Sequence, residues 1–458
     1  MPVRGGRARR GDRMRFDRLV GEAAADAALQ RLRREGVGGG AIVAWLGLNS
    51  LEMISTLVAC RRLGAVLLPL NWRLAASELA RLVGHAGAGH LLVDDAMAAL
   101  GAQVAAQAEL RPGPAAGIEP GDLLLVYTSG TGGQPKGALH TAAGMEANCA
   151  AAIEAQDFDA ATRVLTVLPL FHVGGLCIQT LPVLAAGGSL RLHARFDPGA
   201  WFDDVEAWRP TTSLLVPAVM RALVEHPRWA AADLSSLAFV NSGSQIVPRP
   251  LIDAFHARGV PVAQVYGATE TGPVSIVLRP EEAMAHPGSA GRPARGVEMQ
   301  RGADGEIRLR APQLMRGYHR SAERGFDDQG WFHSGDLARV DAEGYVEVVG
   351  RSRELIISGG ENIHPAEIEQ LVDIWPGVAE CAVVAAPDPR WGEVPVLALV
   401  ARGGAAVDVA GLRAMLEVRL ARFKQPRRIV VVAALPRTAL GKLQRAALAA
   451  QLEALPVG

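Results

Sequence analysis

Between Gly40 and Val93 the chain alternates short, unbroken apolar runs with longer stretches whose apolar positions recur every three or four residues. The runs at 41–48 (AIVAWLGL), 65–70 (AVLLPL) and 91–93 (LLV) have strand length, whereas 52–63 (EMISTLVACRRL) and 77–86 (SELARLVGHA) have helical spacing. This rhythm predicts βαβ units around a parallel sheet, because strands covered on both faces read as continuous hydrophobic runs. An Ala/Gly/Pro-rich stretch from Ala96 to Pro120 predicts a helix followed by a surface connection. Further strand-like runs at 123–127, 164–169, 213–217, 238–243 and 261–267, with helices between them, extend the α/β pattern to about Pro280.

The texture then changes. Residues 305–312 (GEIRLRAP) and 344–350 (GYVEVVG) alternate polar and apolar positions, as strands of an antiparallel or barrel-like subdomain do. From Arg353 a new unit is expected: a strand with a Gly loop (LIISGGEN, 355–362), a helix opened by Pro365, strands at 381–386 and 394–401, a helix at 411–423, a strand at 428–435 and a last helix from Gly441. The predicted fold class is therefore α/β: a large N-terminal domain (1–352) of α/β sheets plus a β-barrel-like subdomain, with a small, mobile α+β C-terminal domain (353–458). A chain of 458 residues agrees, since length alone predicts roughly two to three domains.

Charge excludes some functions. Lys plus Arg and Asp plus Glu number 47 each, so no polyelectrolyte partner is announced and nucleic acid has little support. Cys60, Cys149, Cys177 and Cys381 are scattered without CxxC pairing, which argues against a zinc ribbon or disulfide framework and fits a reducing cytoplasm. The Arg-rich start contains Asp12, lacks Ser and precedes no apolar segment, so it reads as a short or frayed N-terminus rather than a transit peptide. No run of ~18 uncharged apolar residues predicts a membrane span.

Among the 47 basic side chains only Lys136, Lys424 and Lys442 are lysine. Where arginine is used almost everywhere, a retained lysine points to a site that needs a compact, rotatable ammonium. Lys424 lies on a basic stretch and is expected to be incidental, but Lys136 and Lys442 lie in Gly/Thr-rich loops, TSGTGGQPKG (128–137) and LPRTALGK (435–442). The first follows a strand and gathers three hydroxyls and several glycines around one lysine, which suits a polyphosphate. It is not a P-loop, because the neighbours of Lys136 are Pro135 and Gly137.

This loop resembles the signature of the AMP-forming adenylating superfamily, in its acyl-CoA synthetase branch. Later segments resemble that family's motifs in the same order: LPLFHVGG (168–175), QVYGATETG (264–272), WFHSGDLA (331–338), GRSRELIISGGENIHPAEIE (350–369), DPRWGE (388–393) and LPRTALGK. One departure is Gly132, where family loops usually carry a second Thr; a lost hydroxyl weakens pyrophosphate contact by ~1 kcal/mol. The resemblance implies ATP, Mg²⁺ and coenzyme A as co-substrates and cofactor, with a small-molecule carboxylic acid as substrate and a homodimer as a possible assembly. Thr128, Ser129, Gly130, Thr131, Gly132 and Lys136 would cover the β- and γ-phosphates. Gly243 and Ser244 would border the adenine edge, Tyr266 and Gly267 would face adenine, Thr269 would meet the α-phosphate, and Glu270 would be the Mg²⁺ ligand. Asp336 would grip the ribose hydroxyls with Arg351 behind it. His172 would gate the carboxylate, Lys442 would be the catalytic cation of adenylation, and Gly359 and Gly360 would line the thiol path once the small domain turned about Arg353.

Other readings are an amino-acid adenylation domain, a fatty acyl-AMP ligase serving a carrier protein, and a non-enzymatic nucleotide binder. Against the first, 173–181 holds no acid to meet an α-amine; against the second, no insertion precedes the small domain. The third is prompted by Gly132 and a shortened N-terminal part. Residues near the His and Tyr-Gly motifs (Val173, Gly174, Gly175, Val265, Gly267 and 274–278) are apolar or small, and are expected to line a pocket for an uncharged fatty or aryl acid, with Gly174 and Gly175 leaving room. A dicarboxylate would need a buried cation where the chain has Gln264 and Val265.

Overall fold

The computed structural model describes residues 3–4, 19–128, 135–323, 325–358, 361–404, 406–438 and 442–455. The chain divides into two units: Met1–Gln245, Phe255–Gln300 and Arg308–His333 form the first, and Ile246–Ala254, Arg301–Ile307 and Ser334–Gly458 the second.

The first unit is built on two sheets. In one, Ile42–Leu46 runs parallel to Val66–Pro69 and His90–Val93, Val66–Pro69 continues parallel to Asp122–Thr128, and Lys136–Thr141 then Gly317–Tyr318 add antiparallel strands at the edge. In the other, Ser189–Leu192, Arg163–Thr166, Thr212–Leu215, Phe239–Gly243 and Val262–Tyr266 are parallel neighbours in that order, and Ile276–Leu278 and Arg292–Pro293 close one side antiparallel. The period of two along a strand decides which core each side chain joins. Val43 and Trp45 enter a cluster shared with Leu124, Val164 and Phe239, whereas Ile42, Ala44 and Leu46 enter a second cluster with Leu68, Leu79 and Leu125. Each helix between strands starts and stops on local chemistry. Leu51–Leu63 opens with the Ser50 hydroxyl accepting from the Met53 N–H at 3.3 Å and ends at Gly64, whose φ of 68° is the left-handed conformation glycine adopts at little cost.

Phe332–Val340 and Val346–Arg351 run antiparallel in a four-stranded sheet that also holds Glu298–Arg301 and Glu306–Arg310. The remainder of the second unit packs a five-stranded sheet, in which Val378–Asp388 and Gly392–Ala401 form a long hairpin, under helices Pro365–Val372, Val409–Arg419 and Arg445–Glu453. Ile368, Val372, Leu397 and Leu412 fill one side of that sheet and Val384, Val396 and Leu448 the other. Lys424 donates to Glu367 at 2.6 Å. Arg445 does more: its guanidinium reaches Glu354 at 3.0 Å, both oxygens of Glu369 at 2.6 and 3.0 Å, and the Val383 carbonyl at 2.7 Å. Because these groups are mostly out of water, Arg445→Met leaves two carboxylates without their cation and costs about 2–4 kcal/mol. Hydrogen–deuterium exchange should quicken across 361–455 and stay unchanged in the first unit; equal exchange in both proteins would refute this.

The four cysteines are shielded. Cys60, Cys149 and Cys177 are buried, and burial pushes the thiols of Cys60 and Cys177 up to about 12. Burial holds Cys149 and Cys381 well above the ordinary range too, with neighbouring Cys177 adding to it at Cys149 and Asp373 at Cys381.

Candidate active site

The strand Asp122–Thr128 delivers Thr128 to the end of its sheet, and the next strand returns with Lys136 opposite it in register. Ser129, Gly130, Thr131 and Gly132 lie outside the described residues, as do Gly359 and Gly360. A polar frame assembles from the residues that flank the loop. The Tyr318 hydroxyl donates to Glu270 Oε1 at 3.0 Å, and the Thr128 hydroxyl reaches the same oxygen at 3.4 Å. Lys136 sits 5.2 Å from the centre of the Tyr318 ring and pairs with Glu323. Residues 128, 136, 270 and 318 thus meet in one polar cluster at the mouth of the loop. Burial and the Glu270 carboxylate push the Tyr318 hydroxyl far above the ordinary phenol range, so it remains a donor.

Tyr318 and Glu323 join this cluster, and the motifs do not single them out. One signal is available: the chain has only four tyrosines, and scarcity of the kind used for lysine also marks Tyr318.

Glu270 belongs to a turn that follows the strand Val262–Tyr266. Here two glycines are required by close approach: a Cβ on Gly243 would lie 2.3 Å from the Val265 carbonyl oxygen, and one on Gly267 would lie 2.4 Å from that of Pro273. Gly243 and Val265 are register partners, so Gly243 and Tyr266 come to neighbouring strand ends. Ser244 holds a φ of 67°, a left-handed conformation that costs a non-glycine residue of order 1 kcal/mol. Its hydroxyl lies 3.7 Å from where a Cβ on Gly174 would stand, which brings the His172 segment against the 243–244 segment. Thr269 is buried, while Tyr266, Glu270 and His172 are half-buried.

One expectation about the acyl side is corrected. Gly175 leaves no room for substrate: a Cβ there would stand 2.2 Å from the Pro169 carbonyl oxygen, so the glycine admits main chain. The segment Gly174–Thr180 winds as a π-helix that continues into Leu181–Ala185, a wider turn that periodicity does not reveal. Val274, Ile276 and Leu278 are fully buried, the last two on the strand Ile276–Leu278.

In the second unit, Asp336 and Arg351 are directly opposed on adjacent antiparallel strands, and their side chains pair at 2.9 Å. The Asp336 N–H donates to the Ser334 hydroxyl at 3.0 Å, and the Gly335 N–H donates to Glu306 at 2.9 Å, so the Ser-Gly-Asp turn is fixed. Lys442 closes a turn of its own. Its N–H donates to the Thr438 hydroxyl at 3.2 Å and its carbonyl accepts from the Thr438 N–H at 2.8 Å, three residues before the last helix begins.

Residues 20–319 match the family described as AMP-binding enzyme, and residues 367–442 match the AMP-binding enzyme C-terminal domain. The chain belongs to the AMP-binding enzyme family. Within that family it is 43% identical over 452 residues to the indoleacetate–CoA ligase of Aromatoleum aromaticum, covering 90% of this chain and 89% of the relative. It is 40% identical to a feruloyl-CoA synthase of an Amycolatopsis species, with the same coverage. Among solved structures, this AMP-binding enzyme is similar to the o-succinylbenzoate coenzyme A synthetase of Bacillus subtilis in complex with ATP and magnesium ion, with a TM-score of 0.82, 31% identity, and coverage of 94% of this chain and 93% of that one. It is an AMP-forming carboxylate–CoA ligase of the acyl-CoA synthetase branch, with the α/β fold and small C-terminal domain of the adenylate-forming enzymes. No helix among the described residues is long and apolar enough to cross a membrane.

Proposed function

We propose that this ligase activates an aromatic carboxylic acid of the arylacetic or arylpropenoic kind in two steps. An oxygen of the carboxylate attacks the α-phosphorus of ATP and pyrophosphate leaves; the coenzyme A thiol then attacks the acyl carbon and AMP departs with its oxygen. The observation that carries the adenylation reading is the meeting of Thr128, Lys136, Glu270 and Tyr318 at the phosphate loop. Glu270, Thr128 and Tyr318 offer hard oxygen atoms around a single carboxylate. That donor set suits Mg²⁺, which takes one or two carboxylates and completes its shell with substrate phosphates and water. Bound there, the ion supplies fixed positive charge at the triphosphate.

The chain's own groups do the rest. Lys136 neutralises the outer phosphates, Tyr318 holds the orientation of Glu270, and Thr269 contacts the α-phosphate. Asp336, ionised and acceptor-only, takes both ribose hydroxyls, with Arg351 fixing its orientation. His172 gates the carboxylate, Tyr266 faces adenine, and Gly243 and Ser244 border its edge. Lys442 supplies the catalytic cation in the adenylating arrangement; the small domain, beginning at Arg353, then turns to bring 359–360 to the thiol path. A cytoplasmic setting, with its ATP and reduced coenzyme A, suits this chemistry.

The substrate class rests on two supports. The identities to ligases named for indoleacetate and ferulate, 43% and 40%, exceed the 34% and 32% to those named for succinylbenzoate and long-chain fatty acids. In addition, Gln264 and Val265 put no cation on the strand before Tyr266, and a second carboxylate left unpaired out of water costs several kcal/mol. A panel of indoleacetate, ferulate, benzoate, octanoate, palmitate, malonate and succinylbenzoate, scored by coenzyme A-dependent AMP release, should give the highest kcat/KM with indoleacetate or ferulate. Preference for malonate or succinylbenzoate would overturn the aryl assignment, and AMP release that ignores free coenzyme A would overturn the ligase mechanism.

A further inference from the structure

Asn49 stands outside every motif, between the strand Ile42–Leu46 and Ser50, which caps the helix Leu51–Leu63. It is 9% exposed, and its one side chain makes three hydrogen bonds to partners 119, 121 and 144 positions away. The amide N–H groups donate to the Leu168 carbonyl at 2.9 Å and the His193 carbonyl at 3.0 Å, and Oδ1 accepts from the Leu170 N–H at 2.8 Å. An amide turned the other way would set oxygen against two carbonyls and N–H against N–H, so the three bonds fix its orientation as well as its place. The turn that carries Asn49 is held in its own right. The Leu48 N–H donates to Asp94 Oδ2 at 2.6 Å, and a Cβ on Gly47 would stand 2.7 Å from the same oxygen.

What Asn49 holds is the carboxyl end of two neighbouring parallel strands. Leu168 lies just beyond Arg163–Thr166 and His193 just beyond Ser189–Leu192, at the end of an α/β sheet where ligands bind. Leu168–Leu170 is also the approach to Phe171 and His172. Beyond it the chain has little freedom: the His172 N–H donates to the Pro169 carbonyl at 3.2 Å, the Leu176 N–H to the His172 carbonyl at 3.0 Å, and the Thr180 hydroxyl to the Gly175 carbonyl at 2.6 Å. Phe171 is buried and meets Trp72 edge to face, with ring centres 6.4 Å apart. A segment so tightly bonded passes a displacement of Leu168–Leu170 on to His172, two residues later.

We infer that Asn49 is a positioning residue for the carboxylic acid: it pins the turn 168–170 and thereby sets where the His172 ring stands. The inference rests on the role proposed above for His172. All three bonds of Asn49 go to 168–170 and 193, and none of them to the cluster at Thr128, Lys136, Glu270 and Tyr318. Losing Asn49 should therefore be felt by the acid and not by ATP.

The test measures KM for the acid and for ATP in carboxylate-dependent ATP–pyrophosphate exchange, using the acid of the panel above that the wild-type enzyme prefers. Asn49→Ala is expected to raise KM for the acid about tenfold and to leave KM for ATP within about twofold. A double-mutant cycle shows whether the effect passes through His172: in a His172→Ala background the same change should add less than about twofold. A merely structural tie would lower the unfolding temperature and leave the acid KM alone; that result, or equal losses for acid and ATP, would overturn the inference. His172→Ala with an unaltered acid KM would sink the gate role and this inference together, whereas an impaired His172→Ala on which Asn49→Ala still adds its full loss sinks this one alone. Should Asn49→Ala fail to fold, Asn49→Asp replaces it with the same expectation, because the carboxylate keeps the bond from Leu170 and loses both donations. If that variant fails too, hydrogen exchange on the wild type decides. The Leu170 amide should be protected in the enzyme without ligands, and rapid exchange there would overturn the pinning.

Discussion

Lys442→Ala lowers carboxylate-dependent pyrophosphate release by about 10²-fold or more, the loss typical of removing one preorganised charge from a developing negative centre. Thioester formation from supplied acyl-AMP should proceed at nearly the original rate. The asymmetry follows from placement. Lys442 ends a turn pinned by Thr438 immediately before the last helix, so truncating its side chain leaves the turn's main-chain bonds intact. The change therefore removes a charge rather than a fold element, and only the step that gathers charge on the α-phosphate should feel it. Rapid-quench measurement of each half-reaction checks this. Equal loss in both would mean that one arrangement of the chain serves both steps, against the rotation proposed at Arg353.

Glu270→Gln should have an effect of comparable size, about 10²-fold on kcat of adenylation, but with a different signature. The amide keeps shape and still accepts the hydrogen bond from Tyr318, so binding of the acid should change little. What it lacks is the negative charge proposed to hold Mg²⁺, and the concentration of Mg²⁺ required for half-maximal rate should rise at least tenfold. Tyr318→Phe should show a weaker form of the same shift, because it frees the orientation of Glu270 without removing its charge. Unaltered Mg²⁺ dependence in Glu270→Gln would take the ion away from this residue.

The roles proposed for both residues lean on runs of consecutive letters, and the reasons are physical. For Lys442 and Glu270 the proposal draws on local sequence: a cation or carboxylate at a fixed place in a short motif leaves its mark in its immediate neighbours. The alternating runs at 41–93 are equally readable, because strands of a doubly covered parallel sheet must be apolar on both faces. Tyr318 is not, since it matters for what it touches 48 positions away, and a lone Tyr in a sequence carries no trace of that partner. The glycine at 175 misleads for a related reason. A missing side chain looks like space in a sequence, but whether substrate or main chain occupies the space depends on the Pro169 carbonyl. The π-helical turn at 174–180 escapes periodicity because its apolar residues fit an ordinary helix equally well.

The shielding of the four cysteines makes coenzyme A consumption unusually simple to follow. A colour-forming disulfide reagent reacts with thiolates, and thiols pushed up to about 12, as at Cys60 and Cys177, or held well above the ordinary range, as at Cys149 and Cys381, supply almost none near neutral pH. The folded enzyme should thus contribute next to no background, so that the fading signal in a reaction mixture is coenzyme A alone. In denaturant the same reagent should find all four sulfurs, and their staggered release would time the opening of the first unit through Cys60, Cys149 and Cys177 separately from that of the second through Cys381.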